Sequence, residues 1–187
     1  MEHFHSQQIP DPLPEKRPIF RQLVREVITT ILPAVLLALV VNVFVAEAAE
    51  IEAGPSMQPN FYVGYRVMTE KISYHFHEPR RGDVVLVERP SNEGNLIKRV
   101  IGLPGETIEV VNGQTFIDGQ LLDEPWVKNV GGPGYPPAQI PEGQVFIMGD
   151  NRPNSRDSRS FGPVPIETIL GRGWFVYWPL EEFQLLP

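Results

Sequence analysis

Two patterns of apolar and polar positions divide the chain. From Val27 to Ala46 the sequence reads VITTILPAVLLALVVNVFVA, with no charge between Glu26 and Glu47. It is apolar on every face of a helix, where a core helix would carry one stripe. At about 1.5 Å per residue it spans roughly 30 Å, the thickness of a bilayer core. A transmembrane helix over 27–46 is therefore predicted, with Pro33 and Asn42 tolerated inside it. Past residue 50 the pattern changes to short β-type runs between turn residues. Tyr65–Lys71, Asp83–Glu88, Leu96–Ile101, Thr107–Val111, Thr115–Ile117 and Val145–Met148 read as strands. Asn112-Gly113 and Asp118-Gly119 are hairpin signals. Leu103-Pro104-Gly105-Glu106 suits a type II turn. No long helical stripe appears before Ile166–Leu170, and the aromatic run Trp174, Phe175, Tyr177, Trp178 reads as core, with contact to lipid headgroups as the alternative. The expected fold is mainly β: an antiparallel sheet or barrel-like domain behind one N-terminal transmembrane helix.

Charge orients that helix. Lys16, Arg17, Arg21 and Arg25 precede it, while Glu47, Glu50 and Glu52 follow it. The positive-inside rule assigns 1–26 to the cytoplasm and 47–187 to the outer face of the plasma membrane. The first 26 residues balance four bases against four acids, so the net charge of -7 belongs to the exported part. Such an acidic domain does not suit nucleic acid, which needs a basic footprint. The absence of cysteine excludes thiol proteases, disulfide frameworks and cysteine-ligated zinc. Pro and Gly make 36 of 187 residues, a turn-rich but folded composition. Residues 1–15, polar and dotted with proline, are expected to be disordered. Ala46-Glu47-Ala48 has the small-x-small form of a signal-peptide cleavage site. The apolar run is longer than the core of a signal peptide and lies behind a 26-residue leader, which favours an uncleaved anchor.

Candidate chemistry begins just past the anchor with Gly54-Pro55-Ser56-Met57-Gln58-Pro59. Two prolines stiffen the chain around Ser56, as they would around an ordinary turn serine. A serine needs a base to become a nucleophile. Of the four lysines only Lys98 sits in an apolar stretch, LIKRVIGLPG. With the ordinary pKa of about 10.4, an amine is neutral in roughly one molecule in 2,500 at pH 7. Burial and the adjacent Arg99 both disfavour the ammonium form, so a lowered pKa is expected. Further on, Met148 to Val164 packs two Asp, two Asn and three Arg into one interval. That density suits a cross-linked platform beside a site. His75 and His77 beside Glu78 suggest a metal site or a triad base, but no third ligand accompanies them. Arg81-Gly82-Asp83 reads as a turn entering a valine-rich strand, with an adhesion tripeptide as the alternative.

These segments in order resemble the bacterial type I signal peptidases, or leader peptidases, membrane-anchored serine proteases with a Ser–Lys dyad. Gly54 to Pro59 resembles the family's Ser-Met-x-Pro motif, and Arg81 to Val85 its Arg-Gly-Asp motif. Lys98 to Gly105 resembles Lys-Arg-Val-Ile-Gly-x-Pro-Gly, and Gly149 to Arg159 the Gly-Asp-Asn and Ser-x-Asp-Ser-Arg segment. The short stretch between the last two resembles the compact members, which lack the large inserted β-domain. Asn60 and Phe61 depart from the threonine and leucine of many relatives.

The resemblance implies that Ser56 is the nucleophile, Lys98 the general base, and Ser155 a hydrogen-bonding guide for the amine. Arg99 with Asp150, and Asp157 with Arg159, would be supporting ion pairs. Ala53, Gly54, Met57, Phe61, Leu96 and Ile97 would line the substrate pockets. The implied activity is removal of signal peptides from secretory preproteins after small residues, Ala-x-Ala in type, at the membrane lipid surface. It needs no metal and no cofactor. A membrane-tethered β-domain that only binds extended peptides would explain the anchor and strands but not Ser56 and Lys98. A self-cleaving Ser–Lys regulator would need a DNA-binding segment in place of the anchor.

Overall fold

A computed structural model describes residues 19–44, 46–51, 54–88 and 94–186. Expectations for 1–15 and for Ala53 lie outside them. The chain forms two compact units, residues 1–40 and 41–187.

Helix α1 (Ile19–Glu26) runs through one π-helical turn, Val27–Ile31, into α2 (Leu32–Phe44). Pro33 has no N–H to donate to the turn before it, which is where the ladder widens. Phe20–Val40 is a stretch of 21 residues with mean hydropathy 2.1 and no buried share, long and apolar enough to cross a membrane. The helix starts earlier than predicted and ends at Phe44. Ala46, expected to close it, is already paired as a strand with Glu70.

The strands are β1 (Ala46–Glu50), β2 (Arg66–Glu70), β3 (Val84–Glu88), β4 (Asn95–Gly102), β5 (Thr107–Val111) and β6 (Gln114–Ile117). They continue with β7 (Gln120–Leu121), β8 (Tyr135–Gln139), β9 (Gln144–Met148), β10 (Val164–Pro165), β11 (Ile169–Trp178) and β12 (Gln184–Leu185). Among the described residues β1-β2-β11-β3-β4-β9-β10 form one antiparallel sheet, with β12 added to β11. A second antiparallel sheet runs β7-β6-β5-β8. Both hairpin signals are realised. Asn112 and Gly113 take φ 51° and 78°, and Asp118 and Gly119 take 50° and 77°, joining β5 to β6 and β6 to β7.

Each strand predicted from pattern is present within a residue or two. Three longer ones were not foreseen. In β1 the sequence AEAAE has no β-branched residue, and β8 (YPPAQ) carries two prolines in a strand at the sheet's edge, where proline is tolerated. The helical stripe at Ile166–Leu170 is a correction. Only Ile166–Thr168 turns, as a 3-10 segment, and Ile169 opens β11, the longest strand among the described residues. The aromatic run on β11 is a second correction. Trp174 and Trp178 are 50% and 51% exposed while Val176 between them is buried, because the register of β11 on β2 shifts between Gly173 and Phe175 and again between Val176 and Trp178, at each tryptophan.

The core falls into three clusters. Met57, Phe61, Val67, Val84, Leu86, Ile97 and Val176 fill the first, beneath the Ser56 turn. Val85, Val87, Val100, Val145 and Ile147 fill the second. Ile101, Ile108, Val110, Ile140, Phe146 and Met148 fill the third and join the two sheets.

Candidate active site

Ser56 lies in a tight turn. Gln58 N–H donates to the Pro55 carbonyl and Phe61 N–H to that of Met57, each at 3.0 Å. Pro55 and Pro59 fix φ on either side. Gly54 precede them at φ 79°, a conformation that favours glycine. Met57 and Phe61 drive their side chains into the first core cluster and so anchor the turn.

The central strand β4 delivers Lys98, which pairs with Val85 of β3 and is 3% exposed. Its Nζ donates to Ser56 Oγ at 2.7 Å and to the Ile97 carbonyl at 3.0 Å. Arg99, next in the strand, makes a bidentate pair with Asp150, through Nε to Oδ1 at 2.9 Å and Nη2 to Oδ2 at 2.7 Å. Its Nη1 holds the Gly82 carbonyl at 2.8 Å, and its guanidinium lies 4.9 Å from the Trp126 ring. Gly82 turns at φ 94° into the buried Asp83, so Arg81-Gly82-Asp83 is a structural turn. Asp83 accepts from the Tyr74 hydroxyl at 2.9 Å. Burial, and then the Asp83 carboxylate, push the Tyr74 hydroxyl's pKa well above the ordinary tyrosine value.

The segment after β9 closes over Ser56. Asn151 N–H donates to the Ser56 carbonyl at 2.9 Å, and its Nδ2 to the Pro55 carbonyl at 3.0 Å. A Cβ on Gly149 would collide with Ser155 Oγ and the Ser56 carbonyl, so only glycine allows this approach. Asp157 is fully buried. It caps the short helix α3 (Ser158–Phe161) by accepting from Arg159 N–H at 3.2 Å. It also accepts from Arg159 Nε at 2.9 Å, Arg159 Nη2 at 2.8 Å and Gly149 N–H at 3.1 Å. Ser155 is buried beside Gly149, but its hydroxyl has no hydrogen-bond partner among the described residues. The bond expected from it to the lysine amine is not formed in this structure. That amine is engaged by Ser56 and by its own strand.

A cavity of about 310 Å³ runs between β1 and the first half of β4. It is lined by Glu47, Ala48, Ala49, Glu50 and Ile51, by Ser56, Met57 and Leu86, and by Gly94 through Lys98. Met57, Leu96 and Ile97, predicted as pocket residues, line it together with Ser56 and Lys98. Gly54 and Phe61 do not. Gly54 is exposed on the turn, and Phe61 is 3% exposed in the core below. His75 and His77 stand apart, with Nδ1 atoms against the Lys71 and Glu78 carbonyls. Among the described residues no three acidic or histidine side chains gather as metal ligands.

Sequence reasoning missed five supporting residues. Arg152, 1% exposed, pairs with Glu124 and reaches Thr115 at 3.0 Å, tying the second sheet to the site loop. Asn151 lay in a motif whose other members drew the attention. Trp126 and Glu124 sit in a loop that carries no local signal. Asn60 was noted only as a departure from relatives.

A serine held against a buried lysine, beside a groove on a β-scaffold, is an arrangement in which an amine can serve as the base for a hydroxyl. The family model for signal peptidase, peptidase S26, matches residues 24–178, and the chain belongs to that family. It is a family of serine endopeptidases that remove signal peptides from secretory preproteins. Signal peptidase I of Leptolyngbya laminosa is 42% identical over 153 residues, covering 78% of this chain and 75% of its own length. Probable signal peptidase I-1 of a Synechocystis species is 41% identical over 157 residues, covering 80% of each. A signal peptidase I from Bacillus licheniformis is 34% identical over 160 residues, covering 79% of this chain and 84% of its own.

Proposed function

We propose that Ser56 and Lys98 form the catalytic dyad of this signal peptidase. The reading is carried by the 2.7 Å contact between Lys98 Nζ and Ser56 Oγ inside the groove. In the reactive form the lysine is neutral. Ser56 Oγ attacks the scissile carbonyl as its proton passes to Lys98 Nζ. The ammonium then gives that proton to the departing amine, and the N-terminus of the mature protein leaves. A water enters and gives a proton to Lys98 Nζ as its oxygen attacks the acyl-serine; collapse breaks the ester bond, passes that proton from Lys98 Nζ to Ser56 Oγ and frees the signal peptide's carboxyl end. The Ser56 amide is a candidate donor to the oxyanion. Arg99 with Asp150, and Asp157 with Arg159, hold the lysine strand and the closing loop around the serine, and Ser155 is buried in that loop beside Gly149.

The substrate is a signal peptide's end, laid as an extended strand in the groove beside β1. Bulky Met57, Leu86 and Ile97 crowd the floor, which supports cleavage after small residues of the Ala-x-Ala type. The apolar helix supports a single-pass anchor, with 1–26 cytoplasmic and 47–187, the peptidase domain, on the outer face of the plasma membrane. Exposed Trp174, Trp178, Leu180, Phe183 and Leu185 support contact of that domain with lipid.

The test is to incubate the detergent-solubilised full chain with a preprotein and map the cut by mass spectrometry. A single cut after a small residue, with another small residue two positions before it, is expected. Cleavage scattered through the mature region would refute the specificity. For topology, protease added to spheroplasts should degrade the large domain and spare 1–26; the opposite pattern would reverse the orientation.

A further inference from the structure

The turn that carries Ser56 is fastened at two ends. Asn151 holds the near end, through the Pro55 and Ser56 carbonyls. The far end is held by Asn60, whose Nδ2 donates to Asp150 Oδ2 at 2.7 Å and to the Trp126 carbonyl at 2.8 Å. Both hydrogens of one amide are thereby used. Asp150 Oδ2 also accepts from Arg99 Nη2 at 2.7 Å, and Arg99 follows Lys98 directly in β4. Trp126 in turn stacks on the same guanidinium. A continuous chain of bonded groups thus runs from the nucleophile's turn to the strand of the base.

We propose that Asn60 is a positioning residue for the cleavage reaction. It ties the Ser56 turn to the Arg99–Asp150 pair and so sets where the serine hydroxyl stands against the lysine amine. The proposal rests on the Ser56–Lys98 reading above. Three features of the geometry carry it. The donor is a neutral amide, so it adds no charge to a buried ion pair that is already balanced. Its loss leaves Asp150 bonded to Arg99 through both oxygens, so the pair and the fold persist while the turn is released. And the amide is the tie that links the turn's far end to the base's strand, since Phe61 packs into the core and bonds within the turn to the Met57 carbonyl, and the Asn60 carbonyl accepts from Gln184 Nε2 at 3.5 Å. Displacing a reacting atom by about 1 Å costs on the order of 100-fold in rate.

Asn60→Leu keeps the side chain's size and removes the donor. We expect kcat on a preprotein-derived peptide to fall about 10- to 100-fold with KM within about twofold, since groove contacts are untouched. Asn60→Asp sets a carboxylate against Asp150 and should fall further. The split, kcat lost while KM holds, is the readout that a merely structural role would not move, and circular dichroism and the unfolding midpoint follow all three proteins. The proposal is overturned by parental kcat in Asn60→Leu or by a loss carried in KM. Ser56→Ala in the same assay separates the claims. If it stays active the dyad itself fails; if it is dead beside a fully active Asn60→Leu, only the role of Asn60 fails.

Discussion

Lys98 Nζ and Ser56 Oγ, 42 residues apart in sequence, meet at 2.7 Å. Neither side chain could arrange this alone. Ser56 stands on a turn pinned by Met57 and Phe61 from below and by Asn151 from above, and Lys98 on a strand paired on both sides. An amine 3% exposed on a rigid strand points in one direction, which shortens the search for a productive geometry.

The pH dependence follows from which group must shed a proton. Only a neutral amine accepts the serine's proton, so kcat/KM should rise with pH along an acid limb that belongs to Lys98. Its midpoint should lie above the ordinary histidine value of about 6.5 and survive both His75→Ala and His77→Ala. A limb near 6.5 that disappears with either histidine would assign the base to the wrong residue here.

The Asp157–Arg159 pair is shut off from solvent at both partners. Removing one leaves the other's charge buried and unpaired, which costs roughly 3–5 kcal/mol. Asp157→Asn should therefore lower unfolding stability in urea by about that much, and it also weakens the cap of α3. A change below about 1 kcal/mol would show that the pair is not buried in solution.

Tyr74 gives the domain an alkaline limit. Burial and Asp83 raise its pKa in the folded state, so the folded form keeps a proton that the unfolded chain releases. Its stabilising contribution is full below the unfolded tyrosine value of about 10 and is lost as pH climbs from there toward the higher folded value. Stability should fall between about pH 10 and 11 in the parent and fall less in Tyr74→Phe. Identical slopes in both proteins would contradict the assignment.

What the sequence made legible is what local physics determines. Asn112-Gly113 and Asp118-Gly119 turned as written, because two consecutive positive φ angles suit few other residues. The apolar helix was visible from its length, while Ser56 and Lys98 stood out only once the motifs were taken in order, since each alone also suits an ordinary turn or strand. What stayed hidden depends on partners. β1 becomes a strand because β2 offers it a ladder from Ala46 to Glu50, against its own alanine-rich preference. Trp174 and Trp178 look like core by composition, yet where β11 shifts its register on β2 is decided by the sheet. The tie from Asn60 to Asp150 spans 90 residues, and the one from Arg152 to Glu124 joins two sheets. The same contingency touches Ser155, whose buried hydroxyl lies beside Gly149 without the bond to the lysine amine that its place in the motif implied.

The central claim is that the Ser56 hydroxyl and the Lys98 amine perform the cleavage as a unit. The most direct measurement is the turnover of one preprotein by the parent, Ser56→Ala and Lys98→Ala proteins, all purified in detergent with matched circular dichroism. Each single replacement should lower kcat by a factor on the order of 10⁴ or more, and the double replacement little further, because neither group is effective alone. Near-parental turnover by either single variant would contradict the account.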